Sequence, residues 1–191
     1  MTETTGSFSL PRGRSFSVHD LEALPDDGNR YELIDGMLLV SPAPGFRHQK
    51  IAMRLAFRLD AACPTDMDVL VAPFAVQPSE TTELQPDVLV ARTEDFTAKN
   101  LPVAPLLAVE VLSPSSVVTD LNNKKSVYQR MGVPSYWVVD PLDLVLTVFE
   151  LDRNGFQYER IAEVKGDKPY EATQPFPVRI VLTELLSPPI D

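Results

Sequence analysis

The sequence predicts an α/β fold, with strands and helices interleaved along the chain and a β-hairpin near each end. Three observations carry this expectation. Asp35-Gly36 separates the runs Arg30–Ile34 and Met37–Val40, and Asp152-Arg153-Asn154-Gly155 separates Val145–Leu151 from Phe156–Val164, both hairpin signatures. Apolar residues recur at helical spacing over His48–Ala62 and Thr119–Met131. Short apolar runs at Val88–Ala91, Leu106–Leu112 and Ser135–Asp140 read as buried strands.

Taken in order, Ser17–Leu24 forms a short helix capped by Ser17 and stopped by Pro25-Asp26-Asp27-Gly28. In the first hairpin, Glu32 alternates with Leu33 and can face either way. Pro42–Gly45 is a loop, and Ile51, Ala52, Leu55, Leu59 and Ala62 share one face of the helix that follows. His48 lies on that face at the helix start, where a hydrogen-bonded core histidine is the usual case. Asp68–Ala72 and Phe74–Gln77 look like strands, Ser79–Glu83 like a polar turn, and Arg92–Val103 like a polar connection. Asp87 leads directly into the run Val88–Ala91. Beyond the second hairpin, Val181–Leu186 forms a last helical turn.

At 191 residues the expectation is a flexible arm over residues 1–15 and one domain over 16–191. The hydrophobic fraction of 44% and charged fraction of 23% are ordinary for a soluble protein. No run reaches the roughly 20 apolar residues of a membrane helix, and no signal-peptide pattern opens the chain. The expected location is cytoplasmic. One cysteine, Cys63, excludes a disulfide framework and a cysteine-rich zinc site. The formal charge of -10 argues against a broad nucleic-acid coat, while clustered carboxylates attract divalent cations.

The chemistry concentrates between Leu106 and Met131. Glu110 interrupts a run bounded by Pro105 and Pro114, and a buried carboxylate is costly unless paired, protonated or bound to a cation. A structural ion pair or a strand end that reaches water would satisfy it equally. In the helix Thr119–Met131, residues placed about 100° apart put Leu121, Val127, Tyr128 and Met131 on one stripe. Asp120 and Lys124 fall inside that stripe one turn apart, whereas Lys125 points to solvent. The pair could also be an internal i, i+4 bridge, or Asp120 a helix cap. If not, two carboxylates and an ammonium meet at one strand end, a set suited to Mg²⁺ and to phosphodiester hydrolysis.

Several stretches, in order, resemble one family: RYELIDGMLLVSPAPGFRHQKI, QPDVLV, LAVEVLSPSS with Asp and Lys following, and YQRMGVPSYWVVDP. They are similar to the Uma-type bacterial proteins labelled restriction endonucleases, within the PD-(D/E)XK nuclease superfamily, over about Ser17–Asp152. The resemblance implies a restriction-endonuclease-like core, a mixed central sheet flanked by helices. It implies Asp87 and Glu110 as metal carboxylates, Glu32 as the upstream acid, and His48-Gln49 at the start of the helix after the first hairpin. The superfamily places a lysine two residues after the acid, where this chain has Leu112. The match falls instead on Lys124, which the helical face selects independently.

The expectation is therefore an endonuclease acting on DNA with Mg²⁺ or Mn²⁺. Asp87 and Glu110 would hold metal, Lys124 would act on the attacking water, and Glu32 would assist. His48, Gln49, Asp120 and Tyr128 would support these groups or touch phosphate. Cutting a duplex suggests a homodimer, with contacts near the C-terminal hairpin. The alternative is a catalytically silent nuclease fold that serves as a nucleic-acid-binding or protein-interaction scaffold.

Overall fold

The computed structural model describes residues 14–113 and 119–186, the side chains of 119–121 excepted. Residues 1–13 of the expected arm and the side chain of Asp120 thus lie outside the described residues. The first half of the chain runs α1 (Val18–Glu22), β1 (Arg30–Ile34), β2 (Met37–Ser41), α2 (Phe46–Asp60), β3 (Met67–Val71), β4 (Ala75–Ser79) and β5 (Thr82–Leu84). It continues with β6 (Val88–Arg92), a 3₁₀ turn at Thr93–Asp95, β7 (Asn100–Leu101), β8 (Leu107–Val111) and α3 (Thr119–Met131). The chain closes with β9 (Ser135–Asp140), β10 (Val145–Leu151), β11 (Tyr158–Lys165), β12 (Tyr170–Ala172), β13 (Val178–Ile180) and α4 (Leu182–Leu186).

The mixed sheet has six strands in the order β11-β10-β9-β8-β6-β3. β8 and β9 pair in parallel, and the other neighbours pair antiparallel. A parallel pair needs a crossover, and α3 supplies it. The two hairpins behave differently. The C-terminal hairpin, β10 with β11, extends this sheet. The N-terminal hairpin opens a second sheet in the order β2-β1-β5-β4-β7. Its turn has Asp35 at φ 50 and Gly36 at φ 79, the backbone that Asp-Gly favours between two strands.

The central strands β6, β8 and β9 are covered on both faces. On one face α2 and α4 place Ile51, Leu55, Leu59 and Leu185 against Val88, Val90, Val109 and Trp137. On the other, Val127 and Tyr128 of α3 pack with Ala108, Tyr136 and, from the second sheet, Ile34 and Leu84. Side chains alternate along a strand. Leu107, Val109 and Val111 therefore enter the first core, and Glu110 follows Ala108 to the side where the second sheet and α3 converge.

Some short elements were not expected. The turn expected at Ser79–Glu83 carries the end of β4 and the start of β5. Arg92–Val103 holds the 3₁₀ turn and β7, and the tail adds the pair β12 with β13. Three residues of alternation, such as Thr82–Leu84, are too few to show a period. What fixes β5 is tertiary: Thr82 and Leu84 are buried against the rest of the fold.

Candidate active site

Three carboxylates from three strands or strand entries converge. The β6–β8 register pairs Val88 with Val109, and one residue further it sets Asp87 opposite Glu110. The Val111 N–H donates to Asp87 Oδ2 at 2.8 Å, fixing that carboxylate against the next strand. Glu32 arrives from β1 of the second sheet, where its Oε1 accepts the Gln85 N–H at 2.8 Å. Glu32, Asp87 and Glu110 are 0%, 2% and 5% exposed, so none relies on bulk water.

Two cations answer them. Lys124, on the inward face of α3, donates from Nζ to Glu32 Oε1 at 2.8 Å and to Glu110 Oε1 and Oε2 at 3.1 and 3.2 Å. One turn later Tyr128 donates its hydroxyl to Glu110 Oε1 at 2.8 Å. The adjacent Lys125 stays off the site, its Nζ 3.6 Å from the centre of the Phe149 ring. The second cation is Arg30, whose Nη1 donates to Asp87 Oδ1 at 2.8 Å and to the Gln85 carbonyl at 3.2 Å. His48 Nε2 lies 3.1 Å from Asp87 Oδ2.

These contacts set the protonation states. Burial is the largest influence on Glu110 and, helped by the charges of Asp87 and Glu32, pushes its pKa up to about 7 against the pull of Lys124. Burial also raises Asp87, but the His48 hydrogen bond, the Arg30 charge and the Val111 N–H together hold it down to about 2. For Lys124 burial disfavours the charge, yet Glu110 and Glu32 outweigh it and keep the ammonium above its ordinary pKa. Burial and the neighbouring Glu110 raise Tyr128 well above a normal phenol, so its hydroxyl remains a donor.

Of the residues expected from sequence, Glu32, Asp87, Glu110, Lys124, His48 and Tyr128 meet in this cluster. Gln49 does not. It is exposed on α2 and lines a groove of about 1130 Å³ that reaches Arg30, His48 and Asp87. Arg30 was missed, although alternation held a signal for it. Residues 30 and 32 lie on the same face of a strand, so an inward Glu32 brings Arg30 with it. Tyr136 was also unforeseen. It is buried on β9 and its ring lies 5.2 Å from that of Tyr128.

Four buried side-chain atoms lack a hydrogen-bond partner among the described residues: Arg30 Nε, Glu32 Oε2, His48 Nδ1 and Tyr136 Oη. Such atoms are uncommon, and here they belong to the cluster and its wall. A cleft of about 30 Å³, roughly one water or ion in size, touches Arg30, His48, Glu110 and Lys124. No group of three or more His, Cys, Asp or Glu among the described residues is arranged to hold a metal by itself. Two hard oxygen ligands with water and phosphate completing the shell is nevertheless how Mg²⁺ is usually held. The donor set of Asp87 and Glu110, with the unpartnered Glu32 Oε2 beside it, fits a hard dication on those terms.

The comparisons with known proteins decide the family. The model of the Uma2 family, described as "Putative restriction endonuclease", matches residues 18–184. The chain belongs to the Uma2 family. No curated protein matches it. Among solved structures it is similar to one titled "Crystal structure of a putative nuclease belonging to DUF820 from Anabaena variabilis ATCC 29413", at 17% identity and a TM-score of 0.67. That similarity covers 89% of this chain and 97% of the other, and at such low identity it speaks to fold alone. The expected Uma-type resemblance and nuclease-like α/β fold are thus both found. In this Uma2 chain Leu112 stands two residues after Glu110, and the ammonium beside Glu110 comes from Lys124 of α3. Among the described residues no helix is long and apolar enough to cross a membrane.

Proposed function

We propose that this chain is a cytoplasmic, Mg²⁺- or Mn²⁺-dependent endonuclease that hydrolyses phosphodiester bonds in DNA. The observation that carries the reading is Lys124 reaching Glu110 and Glu32 on the face where Asp87 stands opposite Glu110. Asp87 and Glu110 would hold the cation, which when bound supplies Lewis acidity to the phosphate and acidifies a water.

The chain's own groups supply the rest. His48 and the Val111 N–H orient Asp87, and Tyr128 orients Glu110. Lys124 acts as an ammonium, held protonated by its two carboxylates, and its charge offsets the negative charge that grows on the phosphate. Glu32 Oε2, which accepts no hydrogen bond among the described residues, takes the proton of that water. The water oxygen bonds to phosphorus, the bond to the leaving oxygen breaks, and that oxygen leaves as an alcohol after protonation from solvent. Gln49, exposed on the groove that reaches Asp87, contacts the substrate phosphates. Two such sites, one in each protomer of a homodimer, would reach both strands of a duplex. Exposed Phe156 and Ile161, at and beside the edge strand β11, support a contact there.

The test is incubation of supercoiled plasmid with Mg²⁺ or Mn²⁺. Wild type nicks or linearises it, and Asp87→Asn or Glu110→Gln lowers the rate by about 10²-fold or more while the fold persists. Undiminished cleavage by either variant would sink the reading.

A second reading is favoured by the net charge of -10 and by the neutralisation of the site by Arg30 and Lys124 without any metal. In that reading the protein is a silent scaffold of the same fold that binds nucleic acid or protein, and no metal elicits cleavage of any nucleic acid.

A further inference from the structure

Both cations of the site touch carboxylates, but their commitments differ. Lys124 spends its donors on three oxygens of Glu32 and Glu110 and is 5% exposed. Arg30 gives Asp87 Oδ1 a single bond from Nη1. Among the described residues its Nε, 3.7 Å from Glu32 Oε2, has no hydrogen-bond partner, and neither does that oxygen. Among the described residues a guanidinium with five donors is thus anchored by one nitrogen.

The position of that bond matters. Asp87 Oδ2 is already occupied by the Val111 N–H and His48 Nε2, so Oδ1 is the oxygen open to a new ligand, and Arg30 covers it. A dication on Oδ1 would place like charges around one atom in a low-dielectric site, where repulsion is strong. Arg30 also has somewhere to go. It lines both the 30 Å³ cleft and the 1130 Å³ groove, and the groove carries Glu22, Asp26, Glu80 and Glu83, which favour a displaced guanidinium.

We propose that Arg30 is an internal counter-cation that competes with a dication for Asp87 Oδ1 and moves toward the acidic groove when the dication binds. Arg30 thereby sets the metal affinity of the site, while Lys124 stays in place. The inference rests on Asp87 and Glu110 being the metal ligands.

Calorimetric titration with Mn²⁺ tests it on wild type, Arg30→Gln, Arg30→Lys and Glu110→Gln. Arg30→Gln binds about tenfold more tightly than wild type or better, and Arg30→Lys, which keeps the charge, stays near wild type. Unchanged or weaker binding by folded Arg30→Gln, with binding lost in Glu110→Gln, overturns the competition and leaves the metal site standing. Absence of binding by wild type and Arg30→Gln alike overturns both. Should Arg30→Gln not fold, wild type decides the matter through its ¹⁵N-arginine spectrum, with Arg30 assigned by Arg30→Lys. The Arg30 Nε resonance shifts as Mg²⁺ is added, and a resonance that stays fixed through saturation overturns the proposal.

Discussion

Lys124 Nζ lies 2.8 Å from Glu32 Oε1, tying the crossover helix of one sheet to the first strand of the other. The same ammonium reaches Glu110 at 3.1 Å, so one charge holds two buried carboxylates that would otherwise repel. This makes Lys124 structural as well as chemical. Breaking a buried pair by removing one partner typically costs about 3–5 kcal/mol, because the remaining charge is uncompensated. Lys124→Met should lose stability in that range at pH 8, measured by urea unfolding. The loss should shrink toward pH 5, where the stranded Glu110 can take up a proton. A loss that does not change with pH would mean the side chain contributes only packing.

Glu110 gives a pH dependence of definite sign. Its folded pKa, about 7, lies above the ordinary glutamate value of 4.5 because burial disfavours the charge. Between these values the unfolded chain releases a proton that the folded chain keeps, so stability falls as pH rises from about 4.5 to about 7 and then levels. Asp87, held at about 2, is ionised in both states across this window and contributes no slope there. The metal-free wild type should therefore have a lower unfolding midpoint at pH 8 than at pH 5, and Glu110→Gln should show a smaller difference. Parallel pH profiles for the two proteins would mean that Glu110 does not retain its proton.

Much of this site was legible because charges interrupt apolar patterns. Glu110 stood out inside a Val- and Leu-rich strand, and Lys124 inside the apolar stripe of a helix whose bounds, Thr119–Met131, were expected as found. The choice of Lys124 over Lys125 needed only helical periodicity. Arg30 was not legible alone, because a lone arginine in a hairpin strand is ordinarily solvated and its inward direction depends on that of Glu32. The second sheet was not legible either. Which strands a hairpin joins is decided by contacts such as Leu33 with Glu83, far apart in sequence, and by strands of two or three residues with no readable period.

His48 offers a prediction about affinity more than stability. Its Nε2 contact at 3.1 Å orients Asp87, but the Val111 N–H and Arg30 also hold that carboxylate. Residues that hold a metal ligand in place typically change affinity by about 10–100-fold when removed. His48→Ala should weaken Mn²⁺ binding by that much in a calorimetric titration. An unchanged Kd would make His48 a core residue whose contact with Asp87 has no bearing on metal binding.

The turn that delivers Glu32 and Arg30 is itself testable. Gly36 has φ 79, and a Cβ there would lie 2.5 Å from Ser15 Cβ. Its backbone cannot relax easily, because its N–H donates to the Thr81 carbonyl at 2.8 Å and its carbonyl accepts the Phe16 N–H at 2.9 Å. Gly155, in the other hairpin turn, has φ 75, but a Cβ there would meet nothing within 4 Å. Gly155→Ala should then cost only the left-handed backbone penalty, about 1–2 kcal/mol. Gly36→Ala adds the clash and should lose more in thermal or urea unfolding. Because Gly36 closes the hairpin whose first strand carries Arg30 and Glu32, its substitution should also weaken Mn²⁺ binding, whereas Gly155→Ala should not. Equal losses in both variants, with metal binding intact, would show that the first hairpin can shift without disturbing the carboxylate cluster.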